Sequence, residues 1–257
     1  MFKVTEVFPA IFKGEVSHRF IGRVILKGIE RECYIASSCH LSPLIPLNDK
    51  RVLLRKNAGN RTQYTLYALC CKKAKVLLDL RLANELLFDY FKKKGFSPIE
   101  REHKIGKYKS DLYFPLKKVI IEVKAVISEG KELEFGVHQG ERALRQLQDL
   151  MILLDLGFKV RYCIVCMNCN TSLIYLKNKE PLSILLQKCI RKGMQLQFFQ
   201  TQWKGNLCYL EPLKYRCVKH SENFLYRLKK RRYRLALKIP GRPRQAPQNG
   251  QNFCGLG

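Results

Sequence analysis

The segment Ser110-Asp111-Leu112-Tyr113-Phe114-Pro115-Leu116-Lys117-Lys118-Val119-Ile120-Ile121-Glu122-Val123-Lys124 decides how this chain is read. It predicts two short strands joined by a tight turn at residues 115–118. Val119, Ile120 and Ile121 are β-branched and apolar, the composition of a buried strand. Glu122 and Lys124 follow in that same strand, two residues apart. Side chains alternate faces along a strand, so these two point the same way. The hairpin returns Asp111 towards Glu122. Three charges then converge at the end of a hydrophobic sheet, where burial is costly unless they pair or hold a metal. A cross-strand ion pair and a metal site are the two readings this spacing leaves open.

An Asp followed after roughly ten residues by Glu-x-Lys resembles the PD-(D/E)XK nuclease signature. The resemblance implies that Asp111 and Glu122 hold a divalent metal beside a scissile phosphate. It implies that Lys124 orients or activates the attacking water. Mg²⁺ suits such a site, with Mn²⁺ as the alternative. It takes oxygen ligands, needs few protein carboxylates and shares its shell with phosphate and water.

Composition narrows the partner. The 257 residues suffice for one large or two small domains. Lys and Arg number 48 against 21 acids, a formal net charge of +27. Such an excess points to a polyanion, with DNA or RNA first and an anionic membrane second. The pattern lacks a recognition helix or zinc finger, so binding is expected to be largely independent of sequence. Residues 1–15 carry Lys3, Glu6 and Lys13 and read poorly as a signal peptide. No apolar run reaches membrane-spanning length. Eleven cysteines without a secretory signal suggest reduced thiols in a cytoplasm.

Taken in order, residues 1–80 read as mostly strand, at 20–26, 32–35, 51–54, 63–69 and 76–78. Five short strands suit a small OB-like barrel, a common nucleic-acid binder. Tyr64 and Tyr67, near Arg61, are candidates to stack bases. Residues 81–94 read as a helix, with Leu82, Leu86, Leu87, Tyr90 and Phe91 at helical spacing and Gly95 ending it. A first core strand is expected over 96–104, carrying Glu102, and the hairpin supplies two more. Residues 137–156 read as a long helix with Leu144, Leu147, Met151 and Leu154 on its buried stripe and Gly157 as its stop. Arg142, Gln146 and Asp149 fall on its polar face. A strand over 159–167 and a hairpin over 195–210, turning at 204–206, follow. The order of helix, three strands, helix, strand is the αβββαβ core of the PD-(D/E)XK superfamily. The expected fold class is therefore α/β (α+β): a small OB-like β-barrel, residues 1–80, followed by a restriction-endonuclease-like αβββαβ core, residues 81–218.

The chain also resembles, over roughly residues 10–215, the sugar-fermentation-stimulation (SfsA) family, an OB-like barrel followed by a PD-(D/E)XK-type domain. His18-Arg19-Phe20 stands where the family has Asn-Arg-Phe. Arg61-Thr62-Gln63-Tyr64 matches its basic-Thr segment, and Ala83-Asn84 its Ala/Pro-Asn. Arg101-Glu102 matches its Arg-Glu, Asp111 the Asp of Ser-Arg-x-Asp-Phe, and Glu122-Val123-Lys124 its Glu-Val-Lys. Phe135, Arg142, Leu147 and Leu150 fit its second helix segment. The departures lie around the site. Tyr34-Ile35-Ala36-Ser37-Ser38-Cys39 replaces His-x-x-Asn-Thr-Gly, Tyr108-Lys109 replaces Ser-Arg, and Gly136-Val137-His138 replaces Pro-Asp-Ala. Ala143 stands for Gly, and Gln146 for His. The three central positions are kept while the surround has drifted.

Cys163-x-x-Cys166-x-x-Cys169 has ligand-like spacing. Cys163 and Cys166 share a strand at odd separation, however, and should face opposite sides of the sheet. From residue 219 the composition turns strongly basic, with Arg231 and Arg232 in its centre and a Pro/Gly/Gln/Asn-rich end expected to be disordered. Two functional readings stand. The first is a metal-dependent nuclease with Asp111, Glu122 and Lys124 as its centre, Glu102 or Glu85 as a further carboxylate, and Arg19, Arg61, Lys109, Arg142, Arg231 and Arg232 on nucleic acid. The second is a non-catalytic, non-specific nucleic-acid-binding regulator.

Overall fold

Alternating apolar residues close the first part of the chain into a barrel. The computed structural model describes residues 2–3, 6–16, 20–37, 40–57, 61–71, 74–135, 140–177, 180–220 and 223–230. After β1 (Phe2–Lys3) come β2 (Val7–Glu15), β3 (Ile21–Leu26), β4 (Ile29–Tyr34), β5 (Arg51–Lys56) and β6 (Tyr64–Cys71). They pair in the order β4-β3-β2-β5-β6, and a parallel pairing of β4 with β6 closes the ring. Phe12, Val24, Val52 and Leu66 point into it and are buried.

The OB-like barrel is present with one change of membership. Its first strand is β2, which the sequence pattern hid: Pro9 argues against a strand, and a bulge between Phe12 and Gly14 breaks the alternation. The last expected strand lies outside the ring. That strand, β7 (Ala74–Leu77), pairs with β6 and reaches the second sheet, where the Leu77 N–H donates to the Met167 carbonyl at 2.9 Å.

The chain continues through α1 (Leu82–Lys93), β8 (Glu100–Arg101), β9 (Lys104–Ile105), β10 (Tyr108–Lys109), β11 (Leu112–Phe114), β12 (Val119–Val126) and β13 (Glu132–Glu134). It then forms α2 (Glu141–Asp155), β14 (Lys159–Cys166), β15 (Leu173–Lys177), α3 (Pro181–Arg191), β16 (Gln195–Lys204), β17 (Leu207–His220) and β18 (Asn223–Lys230). A ten-stranded sheet runs β13-β15-β18-β17-β16-β14-β12-β11-β8, with β1 added to β17. The helix, three strands, helix, strand order is met by α1, β8, β11, β12, α2 and β14. Gly95 and Gly157 follow their helices at φ 79° and 83°, the left-handed stop that glycine allows. Among the described residues no helix is long and apolar enough to cross a membrane.

Strand β12 shows why the sheet needs cover on both faces. Val119, Ile121 and Val123 pack into one cluster with Leu87 and Phe91 of α1 and with Phe12, Leu54 and Leu66 of the barrel. Ile120 and Val126 face the other way, with Leu147 and Leu150 of α2 and Leu186 of α3. Barrel and sheet therefore share one continuous core. Each large apolar side chain buried there contributes about 1.5–3 kcal/mol.

Three expectations are corrected. The strand over 96–104 contracts to β8, because Pro98 precedes it and Glu102 turns the chain at φ 51°. The buried stripe of α2 is Ala143, Leu147, Leu150 and Leu153. Leu144, Met151 and Leu154 form an adjacent, half-buried line, since the helix also packs on α3. The third correction concerns the basic segment from residue 219. Its residues 223–230 form β18, between β15 and β17, with Tyr226 and Leu228 buried. Alternation of basic residues with Leu and Tyr is there the pattern of a half-covered strand.

A chain ending at residue 222 is thus expected to melt well below one ending at residue 230. Removing β18 uncovers Tyr226's site and leaves β15 without its antiparallel partner. Thermal melts of the two truncations check this, and equal melting temperatures would contradict it.

Candidate active site

The hairpin places the three charges as its register dictates. Leu112 pairs with Ile121 and Phe114 with Val119, so Asp111 stands next to Glu122. Pro115 starts a short 3₁₀ turn, and Lys118 closes it at φ 47°. Glu122 is 1% exposed. Such burial of a carboxylate needs strong donors, and two are present. The buried Tyr108 hydroxyl donates to Glu122 Oε2. Lys124 Nζ donates to Glu122 Oε1 at 2.5 Å and to Gln146 Oε1 at 2.7 Å. Asp111 accepts from the Val123 N–H at 2.7 Å and from Asn84 Nδ2 at 3.0 Å.

Electrostatics follow from this packing. Burial, reinforced by the adjacent Glu122 carboxylate, pushes the Asp111 carboxyl up to about 6. Burial and the charge of Glu122 raise the Tyr108 hydroxyl far above its ordinary range, which keeps it a donor. The site thus holds two carboxylates in low dielectric against one ammonium, a surplus of negative charge.

The three groups line a cleft of about 790 Å³. Its walls come from the barrel side (Tyr34, Ser37), the start of α1 (Arg81, Asn84), the far end of β12 and α2 (Arg142, Gln146). Barrel and sheet are clamped beside it. Asp79, 0% exposed, accepts from Arg55 Nη2 of β5 at 2.6 Å and from Arg81 Nε at 3.2 Å.

Other candidates fall elsewhere. Glu85 pairs with Arg101, and Glu102 lies exposed against Lys109; neither lines the cleft. The positive φ at Glu102 ends its strand before the side chain can join the sheet face. Lys109 is likewise spent on Glu102, and Arg61 sits exposed on the barrel away from the cleft. Arg142 lines the cleft. Arg19, Arg231 and Arg232 lie outside the described residues. Tyr67 is fully buried in a T-shaped contact with Trp203 and offers no face to a base, while the half-buried Tyr64 makes a T-shaped contact with Phe8. Cys163 and Cys166 enter opposite cores, as their odd spacing required. Among the described residues no cluster of three or more His, Cys, Asp or Glu side chains is found.

Sequence reasoning missed Asp79 and met Tyr108 only as a departure from the family pattern. Tyr108 comes from a small hairpin that carries no pattern of its own, and Asp79 reads as an ordinary linker acid. Asn84 was visible only as part of a family match.

The architecture defines a barrel-plus-sheet protein whose shared cleft carries an Asp, a Glu and a Lys. Comparison with known proteins agrees. Residues 77–206 match the model of the "Sugar fermentation stimulation protein RE domain". A sugar fermentation stimulation protein homolog from Saccharolobus solfataricus is 27% identical over 213 residues, 80% of this chain and 85% of that one. One from Aquifex aeolicus is 27% identical over 125 residues, 48% of this chain and 56% of its relative. The structure of Pyrococcus furiosus SfsA in complex with Ca²⁺ superposes with a TM-score of 0.71 at 18% identity, over 82% of this chain and 95% of that one. The chain belongs to the sugar fermentation stimulation (SfsA) family.

The raised Asp111 carboxyl has a measurable consequence. The folded state binds this proton more tightly than the unfolded chain, whose value is near 3.8. Asp111 therefore costs stability above about pH 6, and the cost disappears as the pH falls towards 4. Asp111→Asn removes this titration. Wild-type stability relative to the variant is expected to rise by up to about 3 kcal/mol between neutral pH and that range. Chemical denaturation in EDTA reads the difference, and a pH-independent gap would contradict it.

Proposed function

We propose that the chain is a divalent-metal-dependent phosphodiesterase acting on DNA or RNA. The observation that carries this reading is the convergence of Asp111, Glu122 and Lys124 beside the middle of the buried strand β12, inside a cleft. Their order and spacing resemble the PD-(D/E)XK signature, and the net charge of +27 suits a polyanionic substrate.

The donor set fits Mg²⁺ or Mn²⁺. Asp111 and Glu122 offer hard oxygen ligands, and each of their four oxygens accepts a hydrogen bond while keeping lone-pair capacity to spare. Asp111 is raised by burial first and by the Glu122 charge second, and a cation between the two carboxylates would relieve the second. The Pyrococcus relative, described in complex with Ca²⁺, supports a cation in this family. When bound, the metal would supply Lewis-acid stabilisation of charge developing on the phosphate. Lys124 has three donors and gives two to Glu122 and Gln146, which leaves one for a water. Gln146 and Glu122 hold its ammonium in place. Tyr108 fixes Glu122 from the opposite oxygen, and Arg142 stands in the same cleft for a phosphate.

A second reading keeps the cleft but not the chemistry: a sequence-independent nucleic-acid-binding protein. The observation favouring it is that Lys124 and both carboxylates are already engaged by protein partners, which hold the site together without a metal.

Incubation of pure protein with single- and double-stranded DNA and RNA separates the two. Cleavage is expected with Mg²⁺ or Mn²⁺ and not with EDTA. Asp111→Asn, Glu122→Gln and Lys124→Ala are each expected to lower turnover by about a hundredfold or more while binding persists. Wild-type cleavage by the triple variant would exclude this site. Absence of metal-dependent cleavage on all four substrates would favour the binding protein.

A further inference from the structure

Two of the groups that line the cleft where the barrel meets α1 are planar. Tyr34, at the end of β4, and Arg81, just before α1, both line it. The Arg81 guanidinium lies 4.9 Å from the Tyr34 ring centroid. Tyr34 in turn stacks on Phe20, with centroids 6.3 Å apart and planes 19° from parallel. Phe20 is 40% exposed, and the Arg81 side chain 53%. The ladder is held rather than loose. Buried Asp79 accepts from Arg81 Nε at 3.2 Å and from Nη2 at 3.4 Å, which fixes the guanidinium in its plane.

A single exposed aromatic residue on a surface is ordinary. Three near-planar groups in succession, one of them a fixed cation and two of them lining a candidate phosphodiester site, with Phe20 continuing the row outward, are a different feature. Nucleic-acid bases stack on aromatic rings and on guanidinium planes, and the attraction tolerates any base. In a duplex both faces of each base are covered by neighbouring pairs. Only an unpaired or extruded base can offer a face to such a ladder.

We infer that Phe20, Tyr34 and Arg81 form a stacking platform for an unpaired nucleobase, so that the strand entering the cleft is single-stranded or locally opened. This rests on the nucleic-acid reading above and names its substrate class. It also relocates the stacking face of the barrel, from β6 to the β4 end that meets α1.

The test measures binding in EDTA, without cleavage. A single-stranded oligonucleotide carrying a fluorescent base analogue and the matching duplex are titrated with wild type, Phe20→Ala and Arg81→Lys. Phe20 is exposed, and lysine keeps the charge opposite Asp79, so both variants should fold; thermal melts verify this. Each variant is expected to weaken single-strand binding by about tenfold and to reduce quenching of the analogue, with duplex affinity changed by less than about twofold. Retention of single-strand affinity by either variant would overturn the platform. So would equal losses on both substrates, which would make Arg81 a mere charge. If the wild type shows no metal-dependent cleavage yet these losses occur, the nuclease reading fails and the platform stands. If the wild type cleaves and these losses do not occur, the platform fails and the nuclease reading stands.

Discussion

A carboxylate fully removed from water inside a sheet is the constraint to which the rest of this structure answers. Glu122 sits between apolar Ile121 and Val123 in a strand covered on both faces. An isolated buried carboxylate would protonate or destabilise the fold. Tyr108 and Lys124 offset the burial by donating to its two oxygens, and Gln146 steadies the lysine from α2. Each donor comes from a different element. The hairpin β9–β10 supplies one donor and β12 itself the other, while Gln146 of α2 accepts from Lys124. Asp111 adds a second negative charge that these donors do not balance, and that surplus is what a cation would answer.

The cleft exists because the barrel and the sheet are not separate bodies. One apolar cluster runs from Phe12 in the barrel through Leu87 of α1 to Ile121 of β12. The Arg55–Asp79–Arg81 tie lies beside it. It carries charge from the barrel to α1 across a buried acid. A break in this tie would leave a buried charge with half its partners, a costly state. The same tie holds Arg81, which lines the cleft, so the clamp that joins the two halves also shapes part of the cleft wall.

Much of this was legible in the sequence for local reasons. The turn at Pro115–Lys118 and the parity of Glu122 and Lys124 needed only strand periodicity. The glycines at 95 and 157 marked helix ends, and Cys163 and Cys166 were separated by parity alone. What escaped was what depends on distant partners. Strand β2 was hidden by Pro9 and its bulge, both tolerated because the barrel curves there. The choice between two apolar lines on α2 was set by packing against both the sheet and α3. Strand β18 resembled a basic tail because its charged residues alternate with buried Tyr226 and Leu228. Among candidate site residues, Glu85 and Glu102 were drawn away by Arg101 and Lys109, neighbours that charge counting does not reveal. Tyr108 had no signal in its own sequence context.

The central claim is that Asp111 and Glu122 together hold a divalent cation. Isothermal titration of Mn²⁺ into the intact chain, repeated with Glu122→Gln, addresses it most directly. One site is expected in the wild type at neutral pH. It should weaken as the pH falls below about 6, where protons compete for Asp111, and be lost in the variant. Mn²⁺ binding of equal affinity in wild type and Glu122→Gln, or none in the wild type, would contradict the account.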